Sequence, residues 1–235
     1  MTNEPKPVRA AAEEVVASTS RRIDRPAMTG PAAWDDRYKD DGYSFGTAPN
    51  AFLTTQGALF RPGDKVLALA DGEGRNGVWL AEQGCHVTSV DYSPVGIEKA
   101  TRLARSRGVA LETLVADLTT WSWPVDTYDA IVAIYFHLPP HHRETIHRHA
   151  AAAIKPGGLI VIEGFRPEQI ALQSTHDSGG PPDVRMLFSP EMLAEDFAGF
   201  EVLLSEETET VLDEGLFHTG RAAVLRFVAR KPLAG

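Results

Sequence analysis

Between Lys65 and Gly164, short apolar and β-branched runs alternate with longer amphipathic stretches, and few folds tolerate that alternation. The runs are KVLALA (65–70), HVTSV (86–90), LETLVA (111–116), YDAIVAIY (128–135) and GGLIVIEG (157–164). Helical patterns at about 75–83, 94–107 and 139–154 separate them. Parallel strands need a crossover of about a dozen residues, which a helix supplies while covering the sheet. The succession therefore predicts an α/β fold: a Rossmann-like, doubly wound, mostly parallel sheet. The helix starts carry suitable residues: a Gly-rich turn for the first, Ser93 and Pro94 for the second, Pro139 and Pro140 for the third.

After the fifth strand, STHDSGGPPDV (174–184) is too rich in Gly and Pro for either regular element and predicts a mobile loop. Ser189 and Pro190 start a helix to about 197, FEVLLSEET (200–208) reads as a sixth strand and AAVLRFVAR (222–230) as a seventh. No crossover helix fits between the last two, so they should close a seven-stranded sheet as an antiparallel hairpin. Pro49-Asn50 marks another helix start. Residues 1–30 show no sustained apolar period and are expected to form a flexible tail on one domain spanning 31–235.

The formal charge is −9, and residues 189–214 hold nine acids and no Lys or Arg. No basic stripe offers the counterion-releasing surface that nucleic acid requires, and an anionic membrane would repel the acidic segment. A small-molecule partner is expected. The lone Cys85 permits no internal disulfide and reads as a small hydrophobe. The N-terminal stretch has no apolar signal region and no 18-residue apolar window occurs, which points to the cytoplasm. His141, His142, His147 and His149 are never three or four apart, so they predict a solvated helix and no metal site.

The first strand runs into Ala70-Asp71-Gly72-Glu73-Gly74-Arg75-Asn76-Gly77, and the second ends at Asp91, twenty residues beyond Asp71. Glycines let backbone approach a ligand, the helix N-terminus offers unpaired N–H groups, and an acid at that spacing can accept ribose hydroxyls. The run satisfies G-x-G-x-x-G, so a nicotinamide and an S-adenosylmethionine (SAM) cofactor both fit. Three features favour SAM. No chain remains for a substrate domain and no Tyr-x-x-x-Lys pair exists; Asp117-Leu118 ends the third strand where an acid beside an apolar wall suits adenine; and an antiparallel final pair is how SAM-methyltransferase sheets end.

From Trp34 onward the chain resembles class I SAM-dependent methyltransferases, in particular the tellurite-resistance-like and thiopurine-methyltransferase-like branch. VLALADGEGRNGVWLAEQGCHVTSVDYSPVGIEKA is similar to its first two βα units, WDDRYKDDGYSFGTAPNAFL to its aromatic N-terminal segment, and LDEGLFHTGRAAVLRFVARKP to its ending. The resemblance implies a cofactor site of Trp34, Tyr38, Asp71, Gly72, Gly74, Asn76, Asp91, Tyr92, Asp117, Leu118 and Tyr135. Asp91 is its ribose acid and Asp117 its adenine partner. It places Tyr43, Phe45, Arg166 and His218 at the acceptor. Ala68 and Ala70 stand where an acid and a glycine are usual, which assigns Asp71 to the SAM amino group. Trp34 and Tyr38, four apart, also fit plain helix packing.

Methyl transfer from a sulfonium is an in-line displacement with a neutral leaving group, so the protein mainly aligns. A thiol, selenol or chalcogen oxyanion needs little base chemistry, whereas a hydroxyl needs a base, for which His137 and His218 are the candidates. Arg166, on the turn after the fifth strand, is the candidate anchor for an anionic acceptor. The expectation is a small-molecule methyltransferase acting on a sulfur, selenium or tellurium nucleophile and releasing S-adenosylhomocysteine (SAH). A small-molecule O-methyltransferase and a SAM-binding sensor without turnover are the alternatives. Acceptor atom and oligomeric state stay open.

Overall fold

The computed structural model describes residues 30–235, so the expected tail lies, Gly30 apart, outside the described residues. One sheet orders its strands β3-β2-β1-β4-β5-β7-β6. These are β1 (Lys65–Leu69), β2 (His86–Asp91), β3 (Glu112–Val115), β4 (Tyr128–Ile134), β5 (Ile154–Phe165), β6 (Glu201–Asp213) and β7 (Thr219–Arg230). The first five are parallel, while β7 runs antiparallel to both β5 and β6. The sheet is thus the Rossmann-like, mostly parallel seven-stranded sheet with an antiparallel final pair that the alternation and the final hairpin predict.

Side chains alternate across the sheet, and each face has its own core. Leu67, Leu69, Val90, Ile131 and Ile160 pack on one side with Ile146 of α5 (Pro140–Ala153) and Leu193 of α7 (Pro190–Asp196). Val66, Ala68, Val87, Val132 and Val161 pack on the other with Phe52 and Leu53 of the short α2 (Ala51–Thr55) and Leu80 of α3 (Arg75–Glu82). Caps follow the sequence. Ser93 accepts from Gly96 N–H at the start of α4 (Pro94–Arg107), Asn50 from Leu53 N–H at α2, and Ser189 from Met192 N–H at α7. Cys85 is buried as packing, its Sγ 3.7 Å from the Arg61 carbonyl.

Three features depart from the sequence reading. The hairpin ladder extends to Asp213 opposite Thr219, because the polar stretch after 208 keeps its cross-strand partners, Glu209 pairing with Arg221. β5 begins at Ile154, directly after α5, with Ile154 paired to Tyr128 before a register shift. The 174–184 stretch is pinned. Gln169 of the short α6 (Gln169–Leu172) is fully buried, donates to Ser178 Oγ (2.8 Å) and Gly179 O (2.9 Å), and accepts from Ala223 N–H of β7 (2.8 Å).

The chain direction across the sheet reverses at β1, which lies between β2 and β4, so a crevice opens above the carboxyl ends of β1 and β4. Among the described residues no helix is long and apolar enough to cross a membrane.

Candidate active site

At the end of β1 the backbone turns left-handed three times, at Ala70 (φ 49°), Gly72 (φ 56°) and Gly74 (φ 86°). Glycine is obligatory twice for want of space. A Cβ on Gly74 would lie 2.5 Å from the Ala100 Cβ of α4, and one on Gly72 would lie 2.5 Å from the Tyr38 hydroxyl. Asp91, at the end of β2, is buried and ties this turn to α4: one oxygen accepts from Gly72 N–H and the other from Ser93 N–H, each at 2.9 Å. Burial pushes its pKa up to about 6. Tyr92 N–H bonds the same carboxylate, which keeps room for a ligand hydroxyl. Asp117, beyond β3, is exposed; bonds from the Thr119 hydroxyl and N–H hold its carboxyl below the usual range, and Leu118 beside it is buried.

Residues 31–50 form a strap over this edge. Its helix α1 (Pro31–Tyr38) buries Tyr38, and Asp35 of the same helix accepts from the Ser93 hydroxyl at the start of α4 (2.5 Å). The strap's backbone is held by Glu73 of the turn, which accepts from Ser44 N–H (2.7 Å) and Phe45 N–H (3.4 Å). The other Glu73 oxygen meets Lys99 Nζ at 2.6 Å, with both side chains at most 3% exposed, and Lys99 also donates to Gly42 O. Asn76 Oδ1 accepts from Asn50 N–H, fixing the strap's far end. Ring centroids then run Trp34 to Tyr38 (5.5 Å), Tyr38 to Phe45 (6.4 Å), Phe45 to His218 (4.7 Å) and His218 to Tyr135 (4.5 Å). These candidates form one aromatic wall.

Behind the wall lies a buried polar network. Glu163 of β5 accepts from Tyr135 Oη (2.9 Å), Asn50 Nδ2 (2.8 Å) and Arg226 Nε (2.8 Å). Glu214, in the β6–β7 turn, meets Arg75 at 2.8 Å, accepts from Asn50 Nδ2 at 3.0 Å and lies 3.6 Å from His218 Nδ1. Although burial opposes it, His218 and Arg75 hold the Glu214 carboxyl down at about 2.

Four expected roles change. His137 turns to the backbone: its Nε2 accepts from Phe165 N–H and its Nδ1 bonds to Met186 O, both at 2.9 Å, and burial lowers its pKa to about 4. Both ring nitrogens are spent on backbone, so it is no base. Arg166 turns its Nη1 to Glu168 (2.8 Å) and Glu207 (3.6 Å), while its buried Nε has no hydrogen-bond partner among the described residues. Tyr43 packs toward α3 and α4, where its hydroxyl donates to Lys99 O. Asp71 faces inward to Gly77 N–H and Ser89 Oγ, and burial pushes its pKa up to about 7. The helix histidines also divide: His147 is buried against Asp196 at 2.7 Å, while His141 and His149 are exposed. No metal-holding group of three or more His, Cys, Asp or Glu occurs among the described residues.

Sequence reasoning missed Glu73, Lys99, Asn50, Arg75, Glu163, Glu214 and Arg226. One signal was available: Glu163 interrupts a fully buried strand, and a buried acid demands partners.

Residues 66–158 match the family model of a methyltransferase domain. Phosphoethanolamine N-methyltransferase of Triticum aestivum is 32% identical over 106 residues, 45% of this chain and 21% of that protein. Ribosomal RNA small subunit methyltransferase C of Chromohalobacter salexigens is 30% identical over 166 residues, 60% of this chain and 47% of that protein. The chain thus spans from a fifth to about half the length of these curated relatives. Among solved structures, one described for conversion of a disulfide bond into a thioacetal group during echinomycin biosynthesis superposes with TM-score 0.70 at 18% identity, covering 87% of this chain and 93% of that one. TehB from Haemophilus influenzae gives 0.63 at 20% identity, covering 86% and 66%.

Proposed function

We propose that this chain is a SAM-dependent methyltransferase acting on a small molecule, with the 31–235 region working as one cytoplasmic unit. The observation that carries the reading is enclosure. The Gly-rich turn and Asp91 lie beneath a docked strap, and the pinned 174–184 loop covers the adjoining His218, where a Cβ on Gly179 would lie 2.9 Å from Nε2. A roofed, aromatic-walled edge suits a small acceptor. The relatives named for ribosomal RNA and phosphoethanolamine show how widely this domain is used, and the acceptor assignment rests on the roof.

The residues present fit the cofactor. Asp91 would take the ribose hydroxyls, the Gly72–Asn76 backbone the methionine end, Asp117 and Leu118 the adenine, with Trp34, Tyr38, Tyr92 and Tyr135 as walls. Bound SAM supplies an electrophilic methyl group, leaving SAH. The chain's residues orient the acceptor, exclude water and receive a proton, and His218 beside Glu214 is the group for the last task because His137 is engaged. The resemblance favours a sulfur, selenium or tellurium nucleophile. Two observations count for turnover over mere sensing: Ala70 keeps the left-handed turn without glycine, and Glu206, Glu207 and Glu209 pair with Arg226, Arg166 and Arg221 of this chain. Isothermal titration with SAM, then SAH release across thiol, selenol, phenol and chalcogen acceptors, tests the reading; absence of SAM binding refutes it.

A further inference from the structure

We infer that the methyl acceptor enters this site uncharged, as a thiol, selenol or hydroxyl on an apolar or aromatic frame, and not as an oxyanion. This rests on the methyltransferase reading above. An oxyanion in a site closed to water needs a guanidinium or ammonium to meet it. Among the described residues, each such group around this edge already faces a carboxylate or a ring, with only the buried Arg166 Nε left without a hydrogen-bond partner. Arg75 is bound to Glu214, Arg226 to Glu163 and Glu206, Lys99 to Glu73, and Arg166 to Glu168 and Glu207. Arg37 lies over the Phe217 ring at 3.9 Å.

Recruiting one of these cations to an acceptor would strand its carboxylate. Glu163, Glu214 and Glu73 are each buried or nearly so, and a buried carboxylate stripped of its cation is costly. The surplus at the edge is negative, since Asp91 adds a carboxylate that no basic side chain contacts in the bonds it makes. That surplus suits a sulfonium and repels an anion at short range and low dielectric. The wall facing it is made of rings: Phe45, Tyr135, Phe165 and His218 lie within 4.5–5.5 Å of one another in the pairs that involve His218.

A neutral acceptor needs somewhere for its proton to go, and the site has such a place. The acceptor atom gives up its proton and forms a bond to the methyl carbon. The carbon–sulfur bond breaks with its electron pair remaining on sulfur, and the proton passes to the His218 imidazole. Glu214, 3.6 Å from His218 Nδ1, stabilises the imidazolium as the two close to hydrogen-bond distance.

The test uses the full chain. SAM titration comes first: failure there removes the methyltransferase reading and this inference together. With SAM binding secured, tellurite, selenite and sulfate are titrated into the SAH complex, and SAH release is followed with an aromatic thiol, an aromatic selenol, a phenol, tellurite and selenite. The expected result is no saturable oxyanion binding below about 10 mM and product from at least one neutral acceptor. Glu214→Gln, which frees Arg75, should tighten sulfate or selenite at least about tenfold; Glu163→Gln, which loosens Arg226, serves the same purpose if the first variant does not fold. Sub-millimolar oxyanion binding by the wild type, turnover of tellurite or selenite, or no product from every neutral acceptor overturns the inference and leaves the SAM site standing.

Discussion

Asp91→Asn separates the cofactor role of this carboxylate from its structural role. In the folded protein Asp91 keeps its proton up to about pH 6, against an ordinary value of 3.8. Between those values the folded state binds more protons than the unfolded chain, so stability falls as pH rises through the window. The total is roughly 3 kcal/mol at about 1.4 kcal/mol per pH unit. Asparagine carries no such burden. It does place an amide NH2 against one of the two N–H groups, from Gly72 and Ser93, that the carboxylate now accepts, which costs about 1–3 kcal/mol. Above pH 7 the two effects nearly cancel, and the ligand-free variant should melt within a few degrees of the wild type. SAM binding has no such compensation: losing charge-assisted bonds to the ribose should cost about 1.5–3 kcal/mol, or roughly 10–150-fold in Kd. Wild-type affinity should also weaken below about pH 6, where binding must first expel a proton, while the variant stays flatter. Calorimetric titration of both proteins from pH 5 to 8, alongside ligand-free melts, measures each term. An unchanged Kd in a folded variant, or tighter wild-type binding on acidification, refutes the assignment.

Ala70→Gly should raise stability by about 0.5–1 kcal/mol, read as a higher Tm, because alanine at φ 49° bears a strain that glycine does not. Trp34→Ala should weaken SAM binding more than it lowers the ligand-free Tm, and hydrogen exchange of residues 34–46 should slow on SAM binding in the wild type; equal exchange would make Trp34 packing alone. His137→Ala should cost about 3 kcal/mol through its lost backbone bonds and its ring contact with Phe188, yet leave the pH profile of kcat unshifted, whereas His218→Ala should alter that profile. Removing only Lys99 with Lys99→Met should cost about 3–5 kcal/mol by chemical denaturation, and adding Glu73→Gln should recover part of it while exchange at residues 42–45 stays fast.

The sheet was legible because its determinants are local. Apolar runs of four to eight residues, Ser93 and Ser189 as caps, and too short a link before the last strand leave one arrangement, and the observed strand pairing follows it. The Gly-rich turn and Asp91 were legible for a similar reason: the spacing between them spans one βα unit, whose geometry is fixed. His137 and Arg166 misled because a position at the carboxyl edge says where the backbone is and not which way the side chain turns. One loop carbonyl from Met186 and one N–H from Phe165 suffice to consume the imidazole.

The polar network was less legible because its members come one per segment, from positions 50, 75, 163, 214, 218 and 226, and no local pattern relates them. Burial of Glu163 among apolar neighbours announces that a partner must exist without naming it. The name follows only from strand order. Once β7 is known to run antiparallel beside β5, Glu163 falls directly opposite Arg226, and Glu206 of β6 falls opposite the same arginine from the other side. Cross-strand neighbours of opposite charge on one face are the expected contact. An arginine flanked by two glutamates in register therefore has its charge met within the sheet. For an acceptor arriving at that edge, the pairing of strands has already decided that no positive charge is left from Arg226 to meet it.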